Sequence, residues 1–257
     1  MVGKINLNDH RYFYGNKGFT SILNEVIGLA RIHYTNYNNY DVIVDDTQVL
    51  NIFNNNYNLK NGDKCYNVSD VFFKDFMKGV YDNRFNAHTP FNVEDLNSRK
   101  INSFLTLKKE ISDRMSSLKI ELLGEDNYIG IHIRGTDKII ESPEIKIDDV
   151  YRYIDIALNE RKDIKKIFLA TDDIFYLEKL LKRYGEDLIV YNKNNIISEN
   201  KEPIHKRYER EKINLEVMSD VYILSKCHYF MYCFSNVSFL VLTMMDDYNK
   251  KIININN

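Results

Sequence analysis

The segment YIGIHIRGTDK, residues 128–138, combines an apolar strand pattern with side chains that could bind a charged group. His132 and Arg134 stand two residues apart, and side chains at that spacing on a strand point to the same face. Gly130 lies on that face too, where it is expected to leave room for a ligand to approach closely. A guanidinium group matches two phosphate oxygens at once, so the segment predicts an anion site where the strand ends.

Polar residues also follow two further strand candidates. Asp172 and Asp173 come after KIFLA, and Ser235 and Asn236 come after HYFMY. The carboxyl ends of parallel strands meet at one edge of a sheet, where ligands bind in open α/β folds. A helix that begins at Ser235 would point free N–H groups at this edge, and such groups attract phosphate. Together with the arginine, this arrangement predicts a bound diphosphate.

A purely structural role stays open for the same residues. Arg134 could pair with Asp172 or Asp137 and simply complete the edge of the sheet. Asp173 could serve as the cap of the following helix, since aspartate is a favoured residue at that position.

Strands and helices that could position these residues alternate regularly after residue 124. Strand candidates at 129–134, 166–170, 187–191 and 228–232 alternate with helical stretches at 148–161, 173–184, 211–226 and 236–246. This alternation is typical of a parallel sheet covered by helices, so we predict a Rossmann-like α/β domain.

The N-terminal half has a different pattern. Apolar residues keep helical spacing over 19–34, a short strand candidate follows at 42–45, and an amphipathic helix is predicted over about 95–123. We therefore predict two domains, comprising residues 1–123 and 124–257.

The composition fits an ordinary globular protein. The chain has 257 residues, of which 44% are hydrophobic, and a formal net charge of −2 with both signs interspersed. This charge pattern provides no basic surface for nucleic acid, so no nucleic-acid partner is expected. Three cysteines without metal or disulfide spacing, and no apolar run of membrane-span length, predict a cytoplasmic protein. Peripheral association with a membrane stays open.

Four segments carry a resemblance to a known family. IGIHIRGTDK resembles the His-Val-Arg-Arg-Thr-Asp-Lys signature of fucosyltransferases of the core α1,6 and rhizobial nodulation type. The segments IFLATDD, HKRY and SDVYILSKCHYFMYCFSNVSFLV resemble the next three motifs of that family, in the same order and at similar spacing. The resemblance implies an α/β fold of the GT-B type with two facing Rossmann-like domains. It also implies a GDP-fucose donor in the C-terminal domain, inversion at the anomeric carbon, and no metal or other cofactor.

The resemblance also implies which residues bind the donor. These residues are His132, Arg134, Asp172, Asp220, Ser235 and Asn236. Arg134 matches the arginine on the β-phosphate, where a fixed cation would stabilise the charge that grows on the leaving diphosphate. His132 and Asp220 match residues that hold the nucleoside. Gly135 departs from the family, which usually has a second arginine there.

The catalytic base is expected just past Thr-Asp-Lys. Glu141 matches the family's glutamate if this loop is one residue shorter, and Glu144 and Asp137 are the alternatives. Asn16 and Gly18, in the loop before the first predicted helix, and Lys138 are predicted to lie on the acceptor side.

The sequence therefore predicts an inverting enzyme that moves L-fucose from GDP-β-L-fucose to a hydroxyl of a glycan or glycoconjugate acceptor. The scaffold could instead transfer another nucleotide sugar or form an α1,2 linkage. A protein that binds a nucleotide sugar or a glycan without turnover is the alternative outside the enzymes.

Overall fold

The computed structural model describes residues 52–55, 105–136, 145–195, 197–199, 210–245 and 251–255. The chain divides into two compact units, Met1–Lys108 and Lys109–Asn257. The predicted division at residue 123, between an acceptor-side and a donor-binding domain, concerns function as well as packing and stays a prediction.

The described part of the first unit is a pair of short antiparallel strands. Strand β1 (Phe53–Asn55) pairs with β2 (Leu105–Leu107), and Leu107 lies opposite Phe53. The predicted helix over 95–123 is therefore wrong at residues 105–107. The apolar spacing there fits a helix, but strand pairing with a segment far away in sequence satisfies the same backbone groups. The predicted elements at 19–34 and 42–45 lie outside the described residues.

The second unit alternates helices and strands, as predicted. Its elements are α1 (Lys109–Leu123), β3 (Asn127–Ile133), α2 (Ile147–Glu160), β4 (Ile164–Thr171), α3 (Ile174–Tyr184), β5 (Ile189–Val190), α4 (Arg210–Ser225), β6 (Tyr229–Tyr232), α5 (Asn236–Met244) and β7 (Lys251–Asn254). Strands β3 to β7 form one parallel sheet in the order β5-β4-β3-β6-β7. The predicted α/β class is confirmed, and β7 is an additional strand.

The central strand β3 is buried on both faces. Ile129, Ile131 and Ile133 are fully buried on one face, within the core that α2 and α3 share. On the other face, a Cβ atom at Gly130 would come within 2.9 Å of Leu224 Cδ2 and Cys227 Sγ. Gly130 therefore lets helix α4 and the turn after it pack closely on the sheet. The expectation that it leaves space for a ligand is wrong.

Candidate functional site

The three polar segments predicted from the sequence follow neighbouring strands of the sheet. Ile133 of β3 lies opposite Thr171 of β4, and His132 lies opposite Tyr232 of β6. The residues that follow these strands therefore emerge at the same carboxyl edge.

Asp172 holds the loop that carries Arg134. Its Oδ1 accepts a hydrogen bond from Gly135 N–H at 2.8 Å, and its Oδ2 accepts one from the Thr136 hydroxyl at 2.7 Å. Arg134 Nε lies 3.9 Å from Asp172 Oδ2, which is an electrostatic contact longer than a hydrogen bond. Asp172 therefore positions the loop backbone, while its charge faces the guanidinium group.

The arginine loop is also held from the other side. Arg134 N–H donates to Cys233 Sγ at 3.1 Å, which ties the loop to the segment after β6. Restraints on both sides fix the backbone from which the Arg134 side chain extends. A cation held in this way is suited to meet charge that develops during a reaction.

Gly135 is required by close packing. A Cβ atom at this position would lie 2.5 Å from Asp173 Oδ2 and 2.6 Å from Asp173 Cβ. Asp173 is itself buried and caps helix α3, because its side chain accepts from Phe175 N–H at 2.9 Å. The structural role left open for Asp173 is thus the one observed. The same contact explains why glycine, and no second arginine, follows Arg134 in this chain.

His132 is held by a buried hydroxyl on α5. Its Nδ1 lies 2.8 Å from Ser238 Oγ, and the Ser238 hydroxyl donates to the Cys233 carbonyl at 2.6 Å. A hydroxyl has one proton, so Ser238 Oγ accepts from His132. The neutral imidazole therefore carries its proton on Nδ1, and Nε2 has the lone pair.

Helix α5 begins at this edge of the sheet, as predicted. Ser235 is its N-cap, and Ser235 Oγ accepts from Ser238 N–H at 3.0 Å. Asn236 is the first helical residue. The start of the helix places positive partial charge and backbone donors near the segment that follows β3.

Asp220 on α4 pairs with Asn195 in the loop after β5. Asn195 Nδ2 donates to Asp220 Oδ2 at 2.7 Å. Burial raises the pKa of the Asp220 carboxyl to about 7; the Asn195 hydrogen bond opposes this shift, and the nearby charge of Glu216 adds to it. The second carboxylate oxygen of Asp220, Oδ1, and the amide oxygen of Asn195 are both buried, with no hydrogen-bond partner among the described residues.

Several predicted site residues lie outside the described part of the chain. These are the base candidate Glu141 with its alternatives Glu144 and Asp137, and the acceptor-side residues Asn16, Gly18 and Lys138. Within the described residues, no three His, Cys, Asp or Glu side chains group as metal ligands, and no helix is long and apolar enough to cross a membrane.

Sequence reasoning missed two residues of this edge, Asn195 and Ser238. Ser235-x-x-Ser238 has the spacing of a capping pair, which could have drawn attention to Ser238. Asn195 stands in an asparagine-rich loop, where nothing in the pattern distinguishes it from its neighbours.

Comparison with known proteins identifies the family. A family model described as alpha-(1,6)-fucosyltransferase N- and catalytic domains matches residues 98–250, more than half of the chain. The chain belongs to this family. It is therefore an enzyme of the glycosyltransferase class, and the resemblance inferred from the four sequence motifs is confirmed. The matched region includes every element from α1 to α5.

Solved structures of the NodZ α-1,6-fucosyltransferase share the fold. The crystal soaked with GDP-fucose has a TM-score of 0.58 at 14% identity, covering 95% of this chain and 92% of that chain. The enzyme from Bradyrhizobium gives a TM-score of 0.56 at 14% identity, with 93% and 92% covered. The predicted GT-B type of α/β fold is thereby confirmed. Among curated protein sequences, none matches this chain.

Proposed function

We propose that this fucosyltransferase transfers L-fucose from GDP-β-L-fucose to a hydroxyl of a glycan acceptor, with inversion and without a metal ion. The observation that carries the proposal is the position of Arg134 at the carboxyl end of β3, on the edge where helix α5 begins. One crystal of the NodZ enzyme was soaked with GDP-fucose, which supports the same donor here.

The reaction requires stabilisation of the leaving group. The acceptor oxygen attacks the anomeric carbon as the bond from that carbon to the β-phosphate oxygen breaks, and negative charge grows on the diphosphate. Arg134 and the N–H groups at the start of α5 would meet this charge. Since the charge is greater in the transition state than in the bound donor, these contacts accelerate transfer.

The remaining predicted residues take the other parts of the donor and acceptor. Ser235 and Asn236 would hold the phosphates, and the Nε2 lone pair of His132 would accept a hydrogen bond from the nucleoside. Asp220 would accept from the N–H donors of guanine. Glu141 is proposed as the base that takes the proton from the acceptor hydroxyl, a role that requires hydrogen-bond reach.

A nucleotide panel and a labelled donor test this function together. GDP should raise the melting temperature far more than UDP, ADP or CMP, since a ligand at 100 times its dissociation constant stabilises a protein by about 2.7 kcal/mol. Labelled GDP-fucose should be hydrolysed or transferred. Equal stabilisation by UDP and GDP would exclude the guanine assignment, and turnover of a different nucleotide sugar would identify another donor.

A further inference from the structure

The loop after β5 belongs to the same edge of the sheet as Arg134. Ser198 N–H donates to the Asp172 carbonyl at 2.9 Å, and Ile174 N–H donates to the Ser198 carbonyl at 3.2 Å. The loop is thus tied to the residues that follow β4, and Asp172 is also the residue that holds the Arg134 loop. The loop that carries Asn195 is therefore anchored at the edge where the donor diphosphate is proposed to bind.

The orientation of the Asn195 amide is set by chemistry. Asp220 in its ionised form only accepts hydrogen bonds, so the group that faces its Oδ2 at 2.7 Å in that form is the NH₂ group of Asn195. The amide oxygen then points elsewhere. It is buried, as is Asp220 Oδ1, and neither has a hydrogen-bond partner among the described residues.

Two buried acceptors on paired side chains need donors. An unsatisfied buried acceptor costs about 1–3 kcal/mol, so a ligand that supplies N–H groups here would gain affinity. Among the common bases, guanine presents two adjacent donors, N1–H and the 2-amino group, on its pairing edge. Uracil presents one N–H between two acceptors, and adenine and cytosine each present an amino group beside an acceptor.

We propose that Asn195 is a specificity-determining residue for the donor base: its Oδ1 accepts from the guanine 2-amino group while the Asp220 carboxylate accepts from N1–H. The inference rests on the proposed function, because it takes a GDP-sugar as the donor. Asn195 would thus be a second residue that recognises the base, and it lies on a different element from Asp220, whose carboxylate is on α4. Asn195 also orients that carboxylate through its NH₂ group.

The test compares GDP with IDP, whose base lacks only the 2-amino group. Isothermal titration should show that the wild-type chain binds GDP about 10-fold more tightly than IDP, the loss expected when one buried acceptor is left unpaired. In Asn195→Ala, GDP binding should weaken more than IDP binding, and the ratio should fall towards one. Asn194→Ala, at an exposed neighbouring position, should keep the wild-type ratio.

Two results would overturn the inference. One is equal binding of GDP and IDP by the wild-type chain, a measurement that needs no variant to fold. The other is an Asn195→Ala protein that keeps the wild-type ratio, which would mean that Asn195 only anchors the loop. A wild-type chain that prefers GDP to UDP and yet binds GDP and IDP equally would contradict this inference alone. That result would agree with the proposed function.

Discussion

Arg134 is the residue on which turnover should depend most. Arg134→Ala should lower the rate of fucosyl transfer by about 10²- to 10³-fold, the effect of losing one preorganised donor. Arg134→Lys should not restore the rate, because an ammonium group lacks the bidentate fork. The activity of both variants is measured as the initial rate of transfer from labelled GDP-fucose.

The control for Arg134 is Arg152→Ala on helix α2. Arg152 has a side chain that is 58% exposed and forms an i,i+3 ion pair with Asp149, so its loss should leave the rate unchanged. Near-normal transfer by Arg134→Ala, with the fold intact by circular dichroism, would refute the leaving-group role.

Asp220 should make GDP binding depend on pH. Burial raises its pKa to about 7, so the carboxyl is largely protonated at pH 6 and ionised at pH 8 in the free protein. The ionised form is the acceptor that guanine N–H groups need. GDP affinity should therefore rise between pH 6 and 8, as measured by titration calorimetry. Asp220→Asn should remove the part of this rise that comes from the carboxyl, and any pH dependence that comes from the phosphates of GDP should remain.

The same shift has the opposite effect on the stability of the free protein. The folded-state pKa lies above the unfolded value near 3.9, so the folded protein binds more protons between these values. This carboxyl therefore contributes stability at low pH that is lost as the pH rises to about 7. Without nucleotide, the melting temperature of Asp220→Asn relative to that of the wild-type chain should therefore rise from about pH 4 to pH 7, and a constant difference would contradict the assignment.

Ser238 should fix the tautomer of His132. Ser238→Ala removes the acceptor of the Nδ1–H bond, so the imidazole should lose its preference for a proton on Nδ1. The ¹⁵N chemical shifts of the ring report this change directly, and GDP affinity should fall several-fold.

The control for Ser238 is Ser225→Ala, which removes a buried hydroxyl bonded to the Tyr222 carbonyl and should cost about 1 kcal/mol of stability. It should leave the His132 shifts in place.

Elements β3 and α3 are joined by a close contact between Gly135, just after β3, and Asp173, the N-cap of α3. Gly135→Ala pushes a methyl group into Asp173, so it should lower the free energy of unfolding by about 1–3 kcal/mol, the usual range for overpacking. Asp173→Gly removes the obstructing Cβ and carboxylate, and glycine at a helix N-cap costs only a few tenths of a kcal/mol. The double variant should therefore be more stable than Gly135→Ala alone in chemical denaturation. Additive losses would show that the two residues do not compete for space.

The alternation of short apolar strand runs with longer helical stretches predicted most elements of the second unit, because helices cover both faces of its sheet. Strand ends and helix starts could be predicted from polar residues such as Asp173 and Ser235, which cap the helices they precede. The failures have a common cause. Residues 105–107 form a strand, and Gly130 packs against α4, because of partners far away in sequence that a local pattern does not reveal.

The candidate site, like the fold, could be predicted from the sequence only where local pattern fixes the position of a residue. Residues that directly follow a strand or cap a helix, such as Arg134 and Ser235, could be placed at one edge from the order of elements alone. Asn195 could not, because its role depends on the Asp220 side chain 25 positions later. Loop residues of this kind are defined by tertiary contacts.

In the proposed reaction, the enzyme as a whole must balance the negative charge of the diphosphate that leaves. Arg134 and the start of α5 provide positive charge at the carboxyl edge of the sheet. Asp172, an acid among the described residues of this edge, accepts hydrogen bonds on both oxygens, from Gly135 N–H and from the Thr136 hydroxyl. A metal ion that bound Asp172 would have to compete with the contacts that position Arg134.

Fucosyl transfer should therefore persist in excess EDTA, and added manganese should not raise the rate. The measurement is the initial rate with labelled GDP-fucose, after dialysis against chelator and again after manganese is returned. Asp172→Asn provides the matched control, because its amide oxygen can still accept from Gly135 N–H and its NH₂ group can donate to the Thr136 hydroxyl, while the charge beside Arg134 is lost. A metal-independent enzyme should show the same ratio of rates with and without chelator in this variant as in the wild-type chain. Activity lost in EDTA and restored by manganese would instead mean that a cation shares the diphosphate charge with Arg134.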